Sequence, residues 1–224
     1  MIDHPDQRAA AIREREEKRQ RAIRAHKESL APVVAELRRA GYDVESLDAL
    51  RRSGQKYESA IPVLLNWLPR LSSLDAKESI VRTLSVPWAK PSAGAVLLCE
   101  FDNAPKEAES FRWAIGNALE VVAVPPLQDK LIEIVTNKAN GKAREMFVLA
   151  LAKIREPRSV EILIKLLDDK QVAGHAVMAL RKLRVPEALD YLEPFTRHPQ
   201  NWIRNEARKA IANAMKAHPP KLGS

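Results

Sequence analysis

AREMFVLALAKIREPRSVEILIKLLDD, residues 143–169, contains the pattern from which the rest of the chain can be read. An Arg is followed by an apolar run centred on Leu151, then a short turn, then Pro157 opening a second amphipathic run with Val160, Leu163 and Leu166. Offsets of three place those three side chains on one helical stripe. Proline costs about 3 kcal/mol inside a helix but is tolerated in its first turn, so Pro157 marks a helix start.

Working outward, the same signature recurs. The central apolar residue has counterparts at Leu84, Leu119, Leu180 and Ile211, at spacings of 35, 32, 29 and 31 residues. Pro125 and Pro186 stand six residues after Leu119 and Leu180, as Pro157 does after Leu151. Leu189, Leu192 and Phe195 repeat the three offsets after Pro186, while after Pro125 only Leu131 and Ile134 do and Gln128 breaks the first. Seven residues before each central position lies a third column, Lys77, Arg112, Arg144, Ala173 and Arg204, basic in four of five. Independent columns moving at one period predict stacked two-helix repeats over residues 58–216. No segment alternates with period two for long enough to be a strand, so the expected fold is an all-α solenoid of about five to six antiparallel hairpins.

The rest of the chain divides by composition. Residues 1–29 are expected to form a charged helical extension, since 7–29 reads as a helix whose few hydrophobes are mostly alanine. Residues 30–57 are expected to form a capping pair, with Val33, Val34 and Leu37 apolar before Gly41, and Leu47 and Leu50 before Gly54. Residues 217–224 remain as a tail. Most other prolines fall at the gaps between apolar runs.

An apolar fraction of 46% supports a real core, while aromatics at 5% and seven glycines disfavour an all-β barrel or sandwich. The lone Cys99 excludes a disulfide framework within the chain, and a small core role in a reducing, cytoplasmic setting is expected. The first thirty residues lack the apolar run of a signal peptide, and no stretch approaches the ~18 apolar residues of a membrane span. Charge is uneven. Residues 1–137 balance at 20 basic against 20 acidic, whereas 138–224 carry 17 against 9, which accounts for the whole formal charge of +8. Such a surplus raises the expectation of a polyanionic contact.

Catalytic patterns are sparse. His4, His26, His175, His198 and His218 never fall at an H-x-x-x-H or H-E-x-x-H spacing, so no zinc site is expected. Phosphate-loop, dinucleotide and nucleophile-elbow motifs do not occur. Asp168 with Asp169, and Glu16 with Glu17, point in different directions on a helix and form no acid/base pair. No catalytic residue, metal or cofactor is assigned. Trp67 and Trp88 are expected in the core, and Trp113 and Trp202 at the starts of second helices.

Residues 143–169, and NWIRNEARKAIANAMK at 201–216, resemble HEAT-like repeats of the short, roughly 30-residue kind also found in phycobilisome lyases, with 58–137 a looser match. The resemblance implies an extended concave wall of second helices and a non-enzymatic scaffold. It also implies that the arginines at 112, 144 and 204 pair with carboxylates or carbonyls of neighbouring repeats, or else bind ligand. Superposition puts Glu78, Arg82, Trp113, Asn117, Glu120, Glu145, Met178, Arg181, Asn205 and Lys209 on the wall. The expected binding residues are Arg82, Arg112, Trp113, Arg144, Arg181, Trp202, Arg204 and Lys209. A protein is the first expected partner and nucleic acid the second; no membrane and no small-molecule cofactor are expected. A rival resemblance, to alkylpurine DNA glycosylases, rests on size, charge and Trp113. Against it, no Trp–Trp–Asp–Arg constellation can be placed on the wall.

Overall fold

The computed structural model describes residues 5–217, so His4, His218 and all of the tail except Ala217 lie outside the described residues. Helices and short 3-10 turns make up the ordered elements, and no strand occurs among the described residues. No described helix is long and apolar enough to cross a membrane. The chain forms two compact units, one ending at Thr83 and one beginning at Leu84.

The first unit starts with α1 (Pro5–Arg39) and continues with α2 (Leu47–Arg52), α3 (Ile61–Trp67) and most of α4 (Leu74–Leu84). The charged segment and the apolar one after it, read as separate helices, are a single 35-residue helix. Pro32 lies inside it and removes only the one N–H that would reach the Glu28 carbonyl, while the alanines and long charged residues before it are strong helix formers. The helix stops at Gly41, whose φ of +94° suits a residue without Cβ. There Tyr42 N donates to Leu37 O at 3.0 Å and Gly41 N to Arg38 O at 3.0 Å, the paired bonds of a Schellman cap.

Ser46 caps α2, its Oγ accepting from Ala49 N at 3.1 Å. Val33, Leu37, Leu50, Leu64 and Ile80 fill the core of this unit. Arg51 donates to Thr83 Oγ1 at 3.1 Å and Asp48 Oδ1 at 2.9 Å, and the Tyr57 hydroxyl donates to Thr83 O at 3.0 Å. Trp67 is half-buried instead of lying in the core: its indole N–H donates to Glu36 Oε2 at 2.6 Å, which holds one edge of the ring at the surface.

The second unit contains α5 (Ser92–Asn103), α6 (Glu109–Val122), α7 (Gln128–Thr136), α8 (Arg144–Leu151), α9 (Pro157–Lys165), α10 (Ala173–Leu183), α11 (Leu189–Leu192) and α12 (Asn201–Ala217). These make four hairpins, with the second helices α6, α8, α10 and α12 packed in sequence. Leu119, Leu151 and Leu180 of the central column are fully buried between neighbours, whereas Ile211 in the last helix is half-buried. Pro157 is the first residue of α9, while Pro125 and Pro186 open 3-10 turns that run into α7 and α11.

Helix α8 is buried on every side from Met146 to Leu151, as expected of a helix apolar all round. Its neighbours approach closely. A Cβ at Gly116 of α6 would stand 2.8 Å from Met146 Cβ and 2.8 Å from the Phe147 ring.

Two expectations fail in α5 and just before it. Leu97, Leu98 and Phe101 take the inward positions, so Cys99 faces solvent and is not a core residue. Trp88 is likewise half-buried, not core. Gln128, which breaks the apolar offset after Pro125, instead donates from Nε2 to the buried Ser159 Oγ of α9 at 2.9 Å and ties successive first helices together.

Candidate functional site: the second-helix face

The basic column points inward. The Arg112 side chain, 5% exposed, donates to Phe101 O (3.0 Å) and Ala104 O (3.2 Å) at the end of α5, and to Asn140 Oδ1 (2.8 Å) in the next turn. Its guanidinium lies 3.8 Å from the Phe101 ring centroid. Arg144, 1% exposed, donates to Val135 O (3.2 Å) at the end of α7, to Gly141 O (3.2 Å), to Asp169 Oδ2 (2.7 Å) and to Gln171 Oε1 (2.5 Å). Arg204 is half-buried and donates to His198 O and Pro199 O, each at 2.8 Å, and to Asn201 Oδ1 at 3.1 Å.

Arg112 and Arg144 thus satisfy carbonyls left open at the end of the preceding first helix, and Arg204 satisfies carbonyls of the turn just before α12. Arg112 and Arg144 also clamp the next turn. Five donors in a planar fork can do both tasks at once, which one ammonium cannot. Arg112 and Arg144, expected among the binding residues, are buried with their donors engaged inside the chain. Ala173 is the exception in the column; the turn that precedes α10 is held from behind by Arg144, through Asp169 and Gln171.

A second column completes this device. Asn137, Asp169 and His198 each stand twelve residues after the proline that opens their hairpin, and each side chain accepts a backbone N–H two residues on. The donors are Ala139 N (3.0 Å to Oδ1), Gln171 N (3.1 Å to Oδ1) and Gln200 N (3.1 Å to Nδ1). Sequence reasoning aligned on the second helices missed it, because the turns differ in length and the column drifts when counted backward from them. Counting forward from each proline would have found it. The Arg144 hydrogen bond is the main cause holding the Asp169 carboxyl below the ordinary carboxylate range.

Several charged side chains on the second helices are paired with one another. Lys182 Nζ pairs with Glu120 Oε1, linking α10 to α6 past the end of the shorter α8. Arg181 Nε meets Glu206 Oε2 at 2.5 Å, and Lys209 Nζ meets Glu206 Oε1 at 3.3 Å. Glu145 Oε2 lies 3.9 Å from His175 Nε2. Burial is the leading influence on His175, lowering its pKa, and Glu145 opposes it.

Trp113 and Trp202 remain 38% and 42% exposed at the starts of α6 and α12. The Trp202 indole donates to Gln200 Oε1 at 2.9 Å, lies edge-on to His175 with centroids 5.8 Å apart, and covers Gly174, where a Cβ would stand 2.8 Å from its Cζ2. Asn117 and Met178 are half-buried and Asn205 is exposed. Arg82 with Glu78 belongs to the first unit, where Arg82 donates from Nε (2.9 Å) and Nη2 (2.6 Å) to Glu78 Oε1. Among the described residues no group of three His, Cys, Asp or Glu is placed to hold a metal ion.

No curated protein matches the sequence. Residues 128–212 match the family model of HEAT repeats. The matched residues hold a proline-led first helix, buried leucines of the central column and the Arg144 clamp, and in these features they are similar to HEAT repeats.

Proposed function

We propose that the chain is a non-enzymatic scaffold, acting in the cytoplasm, that binds a protein partner across the second-helix face of residues 109–217. The observation that carries this reading is the pairing of exposed indoles with neutralised charges. Trp113 and Trp202 present apolar area, while Lys182 faces Glu120 and Arg181 and Lys209 share Glu206. Protein interfaces are enriched in Trp and depleted of uncompensated charge at their centre, whereas nucleic-acid contact needs cations free to displace counterions.

A nucleic-acid reading draws on another surface. Lys153, Arg155 and Arg184 are exposed on the turns that follow α8 and α10.

Pull-down and titration with the parent protein, Trp113→Ala and the Arg181→Glu/Lys209→Glu double variant test the first reading. A partner retained by the parent and lost by both variants supports it; a partner retained by both variants overturns the assignment of this face. Gel-shift titration separates the second reading, since roughly six phosphate contacts should lose about 10³-fold affinity between 50 and 200 mM salt.

A further inference from the structure

We infer that α1 is an antiparallel pairing helix whose partner is a second copy of this chain. The helix carries one seam with alternating spacings of three and four: Ala9, Ile12, Glu16, Arg19, Ile23, His26, Leu30, Val33 and Leu37. From Leu30 onward the seam is buried in its own unit. From residue 8 to residue 25 every side chain is exposed, with Ile12 at 62% and Ile23 at 50%. A heptad seam that runs in phase out of a core and continues uncovered for four turns is the geometry that receives another helix.

The second copy is argued from the seam itself. Its spacings from Ile12 to Ile23 are four, three and four, which read the same in both directions. A helix laid antiparallel can therefore meet it layer for layer. In the register that opposes Ile12 to Ile23 of the second copy, Glu16 falls opposite Arg19, Arg19 opposite Glu16, and Ile23 opposite Ile12. The apolar and the charged requirements are met by one register. Shifting it by one residue loses both, since Ile12 then meets Arg24 or Ala22. A parallel pairing in register would instead oppose Glu16 to Glu16 and Arg19 to Arg19. Arg8 opposite Lys27 is the like-charge contact of the antiparallel register and sits at its solvated ends, where screening is strongest. Inside one chain Glu16 Oε2 already meets Arg19 Nη1 at 3.4 Å, so the groups need only exchange partners.

The test is a charge-swap cycle read by sedimentation velocity on the full chain, from about 10 µM to about 1 mM at low salt, where interactions worth a few kcal/mol become visible. The parent should show an average mass that rises with concentration. Glu16→Arg sets a new guanidinium against Arg19 of the second copy, and Arg19→Glu sets a new carboxylate against Glu16 of the second copy. Each variant alone should therefore stay monomeric. An equimolar mixture of the two variants should associate again, about as tightly as the parent, because every charged layer is then complementary. The mixture also controls for effects within one helix, which mixing cannot repair. A parent that stays monomeric over this range overturns the inference, as does a parent that associates while the mixture does not, or single variants that associate like the parent.

Discussion

Arg144 on α8 donates to the Asp169 carboxylate at 2.7 Å, joining the second helix of one hairpin to the turn inside the next. The same guanidinium satisfies Val135 O at the end of the preceding first helix, so one side chain fixes three consecutive elements. Removing it takes the charged partner from Asp169, whose Oδ1 keeps only the Gln171 N–H, and the Arg144 donors from Gln171 Oε1 and two carbonyls, in a site only 1% exposed at the arginine. Arg144→Met should therefore destabilise the protein by about 3 kcal/mol in denaturant unfolding. Arg204→Met, at a half-exposed site whose carbonyls water can reach, should cost about 1 kcal/mol. Equal costs would contradict the clamp.

Folding favours Asp169 charged and His175 neutral, yet both of these are the deprotonated forms, so stability depends on pH in the same sense for each. The folded state holds the Asp169 carboxyl below its ordinary value of 3.8, so its contribution is present above that value and is lost as pH falls through the folded pKa. Burial holds His175 below 6.5, so folding prefers its neutral form, and that contribution also fades as pH falls from about 6.5. Melting temperatures should decline below pH 6.5 and again below pH 4. His175→Asn should flatten the first decline relative to the parent, and Asp169→Asn the second.

Glycine at position 116 is a packing requirement. In an unobstructed helix Gly→Ala stabilises by about 1 kcal/mol. At Gly116 the added methyl would overlap Met146 and Phe147, both buried, so a loss of about 2 kcal/mol is expected from thermal unfolding. At Gly174 the overlapping groups are the Trp202 ring, which is 42% exposed, and Cδ1 of the buried Ile203 at 2.9 Å. The ring has solvent beside it and the Ile203 side chain does not, so Gly174→Ala should shift indole fluorescence to the red and also lower stability.

Leu151→Asp places a carboxylate in a fully buried apolar stack. The lost packing and the uncompensated charge together cost several kcal/mol, enough to abolish cooperative melting of the repeats by circular dichroism. A variant that melts like the parent would contradict the stack.

Much of the fold was legible because burial acts locally. Leu119, Leu151 and Leu180 are buried as a column, and each recurs with a proline six residues later that cannot sit inside a helix. Side-chain direction within a short helix was harder to read. Cys99 in AVLLCEF leaves its expected core place because Leu97, Leu98 and Phe101 decide which face turns inward, leaving Cys99 out and Glu100 in. Asn137, Asp169 and His198 escaped notice because three residue types share only a side-chain acceptor.

The amino-acid order alone determined an all-α repeat of about 32 residues, since proline chemistry and helical periodicity are properties of short segments. Tertiary structure decided what the arginines do. Arg112 and Arg144 find acceptors 28 and 25 residues ahead, across turns whose lengths vary, and only the stacked neighbours bring those acceptors within hydrogen-bond reach. It also decided that the helix carrying Ile12 and Ile23 continues unbroken into the buried stripe at Leu30, because Pro32 costs a single backbone bond that the packing of Val33 and Leu37 offsets.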